Sequence, residues 1–166
     1  EKGFDLMAMG QPDGPGCYCA ANQHLAMTMD HLAGNYKYIL VDNEAGMEHL
    51  SRMNLREIDH LIVTSDPSAR GILTARRISD LPEPLGITVR NKFLVVNRVP
   101  DPEPPELLAK IKEATTETGL PLGGLVHASQ ELVSQEISGN SYLGINNDSP
   151  VIAEVYRIFD EFIAGD

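Results

Sequence analysis

The chain has 166 residues, with 13 Lys and Arg against 24 Asp and Glu, hence a formal net charge of −11. Apolar residues make up 42% and charged residues 22%, which excludes a chain too polar to bury a core. The acidity argues against a nucleic-acid grip, which needs a basic face, and no apolar run approaches the roughly 18 residues of a membrane span.

The length suits one domain, residues 1–166. The charge is uneven. Residues 1–98 hold 10 basic and 12 acidic groups, and residues 99–166 hold 3 and 12. The acidic last third reads as a solvated face. No signal peptide is recognisable, and the start at Glu1 suggests a processed or truncated piece. The two cysteines, Cys17 and Cys19, are one residue apart. A disulfide between them would constrain almost nothing, so a reducing, cytoplasmic setting is expected.

Residues 4–9 form an apolar run ending at Gly10 and read as a strand. Residues 17–33 have helical composition and stop at Gly34. Residues 38–41 are a second strand, closed by Asp42, and residues 60–64 a third, closed by Asp66-Pro67. Residues 68–81 read as a helix with Ser68 as N-cap and Pro82 as stop. Residues 93–96 are a fourth strand ending at Asn97, and residues 104–117 a helix with Gly119 at its C-cap. Residues 122–126 make a fifth strand, and residues 130–137 and 151–163 are closing helices. Strands that are apolar throughout are covered on both faces. Their alternation with helices predicts an α/β doubly wound parallel sheet of about five strands.

Ligands of such sheets bind beyond the carboxyl ends of the strands. Asp42 stands at one of these ends. A carboxylate there suits Mg²⁺, usually through water, and Gly46 lets a backbone N–H approach a phosphate. Asp42 equally suits the cap of a helix starting near Met47. Asn97 offers an amide donor and acceptor to an adenine edge, or serves as a turn residue.

Cys17-Tyr18-Cys19 is a sharper signal. Thiolates are soft ligands for zinc, nickel or iron–sulfur centres, and a nearby helix start favours the thiolate. Two sulfurs are half of a tetrahedral shell, which a two-fold axis would complete in a homodimer. The alternative is a pair of small buried residues. The histidines, His127 among them, show no metal-ligand spacing and read as ordinary side chains, with His49 the one nearest a candidate loop.

Gly10-x-Pro12-x-Gly14-Pro15-Gly16-Cys17-Tyr18-Cys19, followed by Val41-Asp42-Asn43-Glu44-Ala45-Gly46-Met47-Glu48-His49, resembles the CooC-type ATPases that mature carbon monoxide dehydrogenase. These are MinD-like P-loop ATPases, kin of the nitrogenase iron protein. The resemblance implies a partial fold of that type. It implies Asp42 as the switch carboxylate near Mg²⁺ and the attacking water, and Gly46 at the terminal phosphate of ATP or ADP. It further implies Asn97 and Arg98 at the adenine, and Cys17 and Cys19 holding nickel or zinc between two subunits. Carbon monoxide dehydrogenase would be the client, with ATP binding tightening the dimer and hydrolysis coupled to nickel delivery.

Three departures stand out. The family's phosphate loop ends in Gly-Lys-Ser/Thr, and no Gly here is followed by Lys. That segment is expected to precede Glu1. His127 and Ser129 stand where the family's last base-contacting stretch carries Pro and Asp, and Gln11 where Arg is common. Rival readings are an iron–sulfur carrier or scaffold, and a non-catalytic interaction domain that has lost its phosphate loop.

Overall fold

The computed structural model describes residues 4–8, 19–43 and 56–163. Three strands form one sheet: β1 (Glu57–Ser65), β2 (Thr88–Val99) and β3 (Leu122–His127). Their order is β1-β2-β3 and both pairings are parallel. A parallel pair needs a crossover. Here α2 (Ala69–Ser79) joins β1 to β2 and α3 (Pro105–Thr118) joins β2 to β3. The helix α1 (Cys19–Ala33) precedes the sheet, and α4 (Gln130–Ile137) and α5 (Pro150–Ile163) follow it.

The central strand explains the layering. Side chains alternate across a strand, so Leu94 and Val96 face one side and Val95 the other. Leu94 and Val96 pack with Val63, with Ile72 and Ala75 of α2, and with Leu107 and Ile111 of α3. Val95 joins Val126 and the α5 residues Val151, Ile158 and Phe162. Helices therefore cover both faces, as the unbroken apolar strands require.

One stripe of α5 lies along β3. Glu154, Ile158 and Phe162 are four residues apart and share a helix face. A Cβ on Gly124 would stand 2.4 Å from Ile158 Cγ1, and one on Gly123 2.5 Å from Phe162 Cζ. The two glycines thus let the helix seat its large side chains against the strand backbone. Phe162 stacks on Phe93 of β2 at 4.3 Å between ring centroids.

The strands run beyond the apolar runs that announced them. The first half of β2, with Arg90 and Asn91, pairs with β1 from Glu57 onward. Arg90 bridges Asp59 at 3.0 Å and Glu57 at 3.5 Å across the ladder. Polar residues continue a strand once it leaves the core, because the backbone ladder persists.

Two of the five expected strands are not formed. Residues 4–8 and 38–43 have no strand structure, and Leu6 and Leu40 are 85% and 83% exposed. Tyr36, just before the second stretch, donates its hydroxyl to the Asp5 carboxylate of the first. An apolar run states a wish for burial, whereas a strand also needs a neighbour for its N–H and C=O groups. Val41 alone reaches the core, packing with Leu25 and Met29 of α1 around Ile87.

Helix ends follow local chemistry. Ser68 Oγ accepts the Gly71 N–H at 3.0 Å, the cap expected from the sequence. Lys92 Nζ donates to the Ser79 carbonyl at 2.7 Å at the other end of α2, where a cation offsets the helix dipole. Gly119 closes α3 at φ 63°, a left-handed turn that glycine makes without a Cβ penalty.

Candidate functional site at the carboxyl edge of the sheet

The carboxyl end of β2 is irregular. Val96 pairs with Leu125, but the next pairing is Val99 with His127. Three steps on β2 match two on β3, so Asn97 and Arg98 form a bulge. Arg98 sits at φ 58°, a conformation that a non-glycine residue holds only when its surroundings impose it. Asn97 Oδ1 accepts the Arg98 N–H at 2.8 Å, which braces the turn. Val96 and Val99 on either side are fully buried, so the exposed pair rides on fixed backbone. Such bulges commonly re-aim side chains near functional sites. With Oδ1 engaged once, Asn97 keeps its amide donors and a lone pair for a ligand.

Next to this bulge is a cluster that sequence reading passed over. His127 closes β3. Its Nδ1 lies 2.7 Å from Glu154 Oε1 of α5, and its Nε2 lies 3.0 Å from Glu103 Oε1 in the β2–α3 loop. The His127 backbone N–H also donates to Glu154 Oε2 at 2.9 Å. The hydrogen bond that the ring donates to Glu154 is the main cause that raises the His127 pKa above the ordinary histidine value. Partial burial opposes it, while the Glu154 charge and Glu103 reinforce it. These residues are 24 and 27 positions from His127, so no local motif links them. The one available signal was the place of His127 directly after an apolar strand.

At the end of β1, Asp66 Oδ1 accepts the Ser68 N–H at 2.8 Å. Hydrogen bonds from Ser68 hold its carboxyl below the ordinary aspartate value. A Cβ on Gly71 would meet Asp66 Oδ1 at 2.3 Å and Ser65 Oγ at 2.8 Å, so this glycine lets the loop close on the helix start.

The other expected site residues are less defined. Asp42 is exposed in the irregular stretch after residue 41, and not at the end of a paired strand. Gly46 and Cys17 lie outside the described residues, as does His49. Cys19 is the first residue of α1. No group of three His, Cys, Asp or Glu side chains suited to a metal occurs among the described residues. No described helix is long and apolar enough to cross a membrane. A shallow depression of about 600 Å³ follows the exposed side of α5, lined by Tyr156, Arg157, Asp160 and Glu161 among others, and none of the expected site residues lines it.

No protein-family model matches the chain. An uncharacterized ATP-binding protein of Methanocaldococcus jannaschii is 36% identical over 98% of this chain and 62% of its own length. The carbon monoxide dehydrogenase accessory protein CooC of Rhodospirillum rubrum is 33% identical over 51% of this chain and 34% of its own. The septum site-determining protein MinD of Pyrococcus horikoshii, solved with Mg-ADP, superposes with a TM-score of 0.63. It is 18% identical, over 87% of this chain and 58% of that one. The chain thus spans about three-fifths of the length of the first curated relatives it matches.

Proposed function

From a chain with the fold of the MinD-like P-loop ATPases and sequence kinship to their ATP-binding members, we propose an adenine-nucleotide-dependent protein that handles a metal through Cys17 and Cys19. The observation that carries the nucleotide part is the Asn97–Arg98 bulge. It presents an amide and a guanidinium on rigid backbone at the carboxyl edge of a parallel sheet, where such folds take ligands.

In this reading Asn97 and Arg98 hold the adenine. Asp42 would stand near Mg²⁺ and the attacking water, and Gly46 would offer its backbone N–H to the terminal phosphate. These 166 residues contain no Gly-Lys phosphate loop, so the phosphates need further donors. Mg²⁺ supplies charge neutralisation when bound.

The metal part rests on the cysteine pair and on the partial likeness to CooC. Cys17 and Cys19 supply two thiolates, and a second copy of the chain supplies two more across a two-fold axis. Nickel, with zinc as its common stand-in, is the cargo, and carbon monoxide dehydrogenase the client.

Two measurements test this reading. Calorimetric titration of the protein with Mg-ADP is expected to show binding that weakens in Asn97→Ala, and no binding overturns the nucleotide part. Metal content after loading with nickel is expected at one ion per two chains and lost in Cys17→Ser. An intact dimer with unchanged metal in that variant overturns the metal part. Visible absorbance after anaerobic purification would instead assign the cysteines to an iron–sulfur cluster.

A further inference from the structure

Building on the nucleotide reading, we infer that Glu103, His127 and Glu154 form a clasp that holds the loop leaving the Asn97–Arg98 bulge, so that this edge's hold on an adenine nucleotide follows the protonation of His127.

The connection is short and physical. His127 pairs with Val99, the residue directly after the bulge. The Ala128 N–H donates to the Val99 carbonyl at 2.8 Å. The chain leaving Val99 is tied again at Glu103, through His127 Nε2. The loop that follows Arg98 is therefore held at its start by His127 and Ala128 and at Glu103 by His127 alone. Glu103 immediately precedes Pro104, the N-cap of α3, so this second tie also fixes where the helix begins.

The two carboxylates are not equivalent. Glu154 is held twice, by the His127 backbone N–H and by Nδ1. Glu103 is held by Nε2 alone. An imidazolium donates from both ring nitrogens, whereas neutral imidazole has one donor and one acceptor. The neutral ring keeps its proton on Nδ1, facing the closer and doubly bonded Glu154. Its Nε2 lone pair then faces the Glu103 carboxylate, and that contact turns repulsive. Loss of one proton thus opens the Glu103 tie and leaves the Glu154 tie in place. The three side chains are between 24% and 30% exposed, open enough to exchange the proton and shielded enough for it to matter.

Other charged groups on the surrounding elements do not replace these contacts. Arg98 and Asp101 lie on the β2 side and Arg157 on α5, all exposed, and none hydrogen-bonds His127. Glu131 of α4 accepts the Ser149 hydroxyl at 2.5 Å. The protonation state of His127 therefore answers to Glu103 and Glu154.

The test follows His127 ring resonances and the Asn97 and Arg98 amides by NMR between pH 6 and 9, alongside the affinity of a fluorescent ADP analogue. The expected result is one shared midpoint, with affinity falling roughly five- to tenfold as pH rises through it. Glu103→Gln removes the charge, and its amide can donate to the neutral ring, so the His127 midpoint is expected at lower pH and the fall in affinity is expected to flatten. The nucleotide's own phosphate titration is common to both proteins and cancels in that comparison. Binding with an affinity profile that Glu103→Gln leaves unmoved overturns the clasp and spares the nucleotide reading. Absence of analogue binding at every pH overturns both.

Discussion

Glu154 holds His127 at two points, accepting its backbone N–H at 2.9 Å and facing its ring Nδ1 at 2.7 Å. The same face of α5 carries Ile158 against Gly124 and Phe162 against Gly123. The helix therefore lies along β3 with its polar end at the carboxyl edge of the sheet and its apolar end beneath it. A single helix face thus serves both the core and the candidate site.

This pairing makes stability depend on pH. The pKa of His127 is raised in the folded chain by Glu154 and Glu103. Its contribution is fully present below the unfolded value of about 6.5 and is lost as pH rises through the folded value. Urea midpoints measured from pH 6 to 9 are expected to fall over that window, and His127→Gln to flatten the fall. A parallel decline in both proteins would rule the assignment out.

Gly124→Ala is expected to destabilise the chain by about 1–3 kcal/mol, the usual cost of overpacking, because the added Cβ would lie 2.4 Å from Ile158 Cγ1. Gly34→Ala provides the control. Nothing lies within 4 Å of a Cβ there, and its effect should stay within about 0.5 kcal/mol. Denaturant titration of the two variants separates a close approach from a general intolerance of alanine.

Ser68→Ala removes the acceptor for the Gly71 N–H at the start of α2 and should cost about 1 kcal/mol. Asp66 accepts the Ser68 N–H and has a lowered pKa. Its contribution is present above the unfolded value of about 3.9 and disappears as pH falls through the folded value. Acid unfolding of Asp66→Asn, compared with the parent, reads that contribution directly.

Asn97→Ala leaves the buried flanks Val96 and Val99 in place. Its loss should appear in ligand affinity, by roughly three- to tenfold for one hydrogen-bonding group. Titration with Mg-ADP and a thermal melt without nucleotide distinguish the two effects. A large drop in melting temperature with unaltered affinity would make Asn97 a brace of the bulge and nothing more.

Much of the fold was legible in the amino-acid order because its signals are local. Ser68 before a periodic stretch marked the start of α2, and Gly119 the end of α3. Uniformly apolar residues around Val63, Val95 and Val126 announced a sheet covered on both faces. The sequence placed Asn97 and Arg98 at a strand end, but not the bulge that holds them. A register shift exists only between two strands, and β3 begins 23 residues after Val99.

Residues 4–9 and 38–41 show the limit from the other side. Their composition matches that of the formed strands, yet the described residues 4–8 and 38–41 are unpaired, since hydrogen-bonding partners are contributed by other parts of the chain. The same reason hid the clasp. Glu103, His127 and Glu154 are unremarkable acidic and imidazole side chains until three separate elements converge. Local order along the chain determined which segments coil, extend and stop, because backbone preference and hydrophobic pattern act over a few residues. Only the packed arrangement decided which distant charges share a proton, because that depends on distances of about 3 Å that no spacing along the chain encodes.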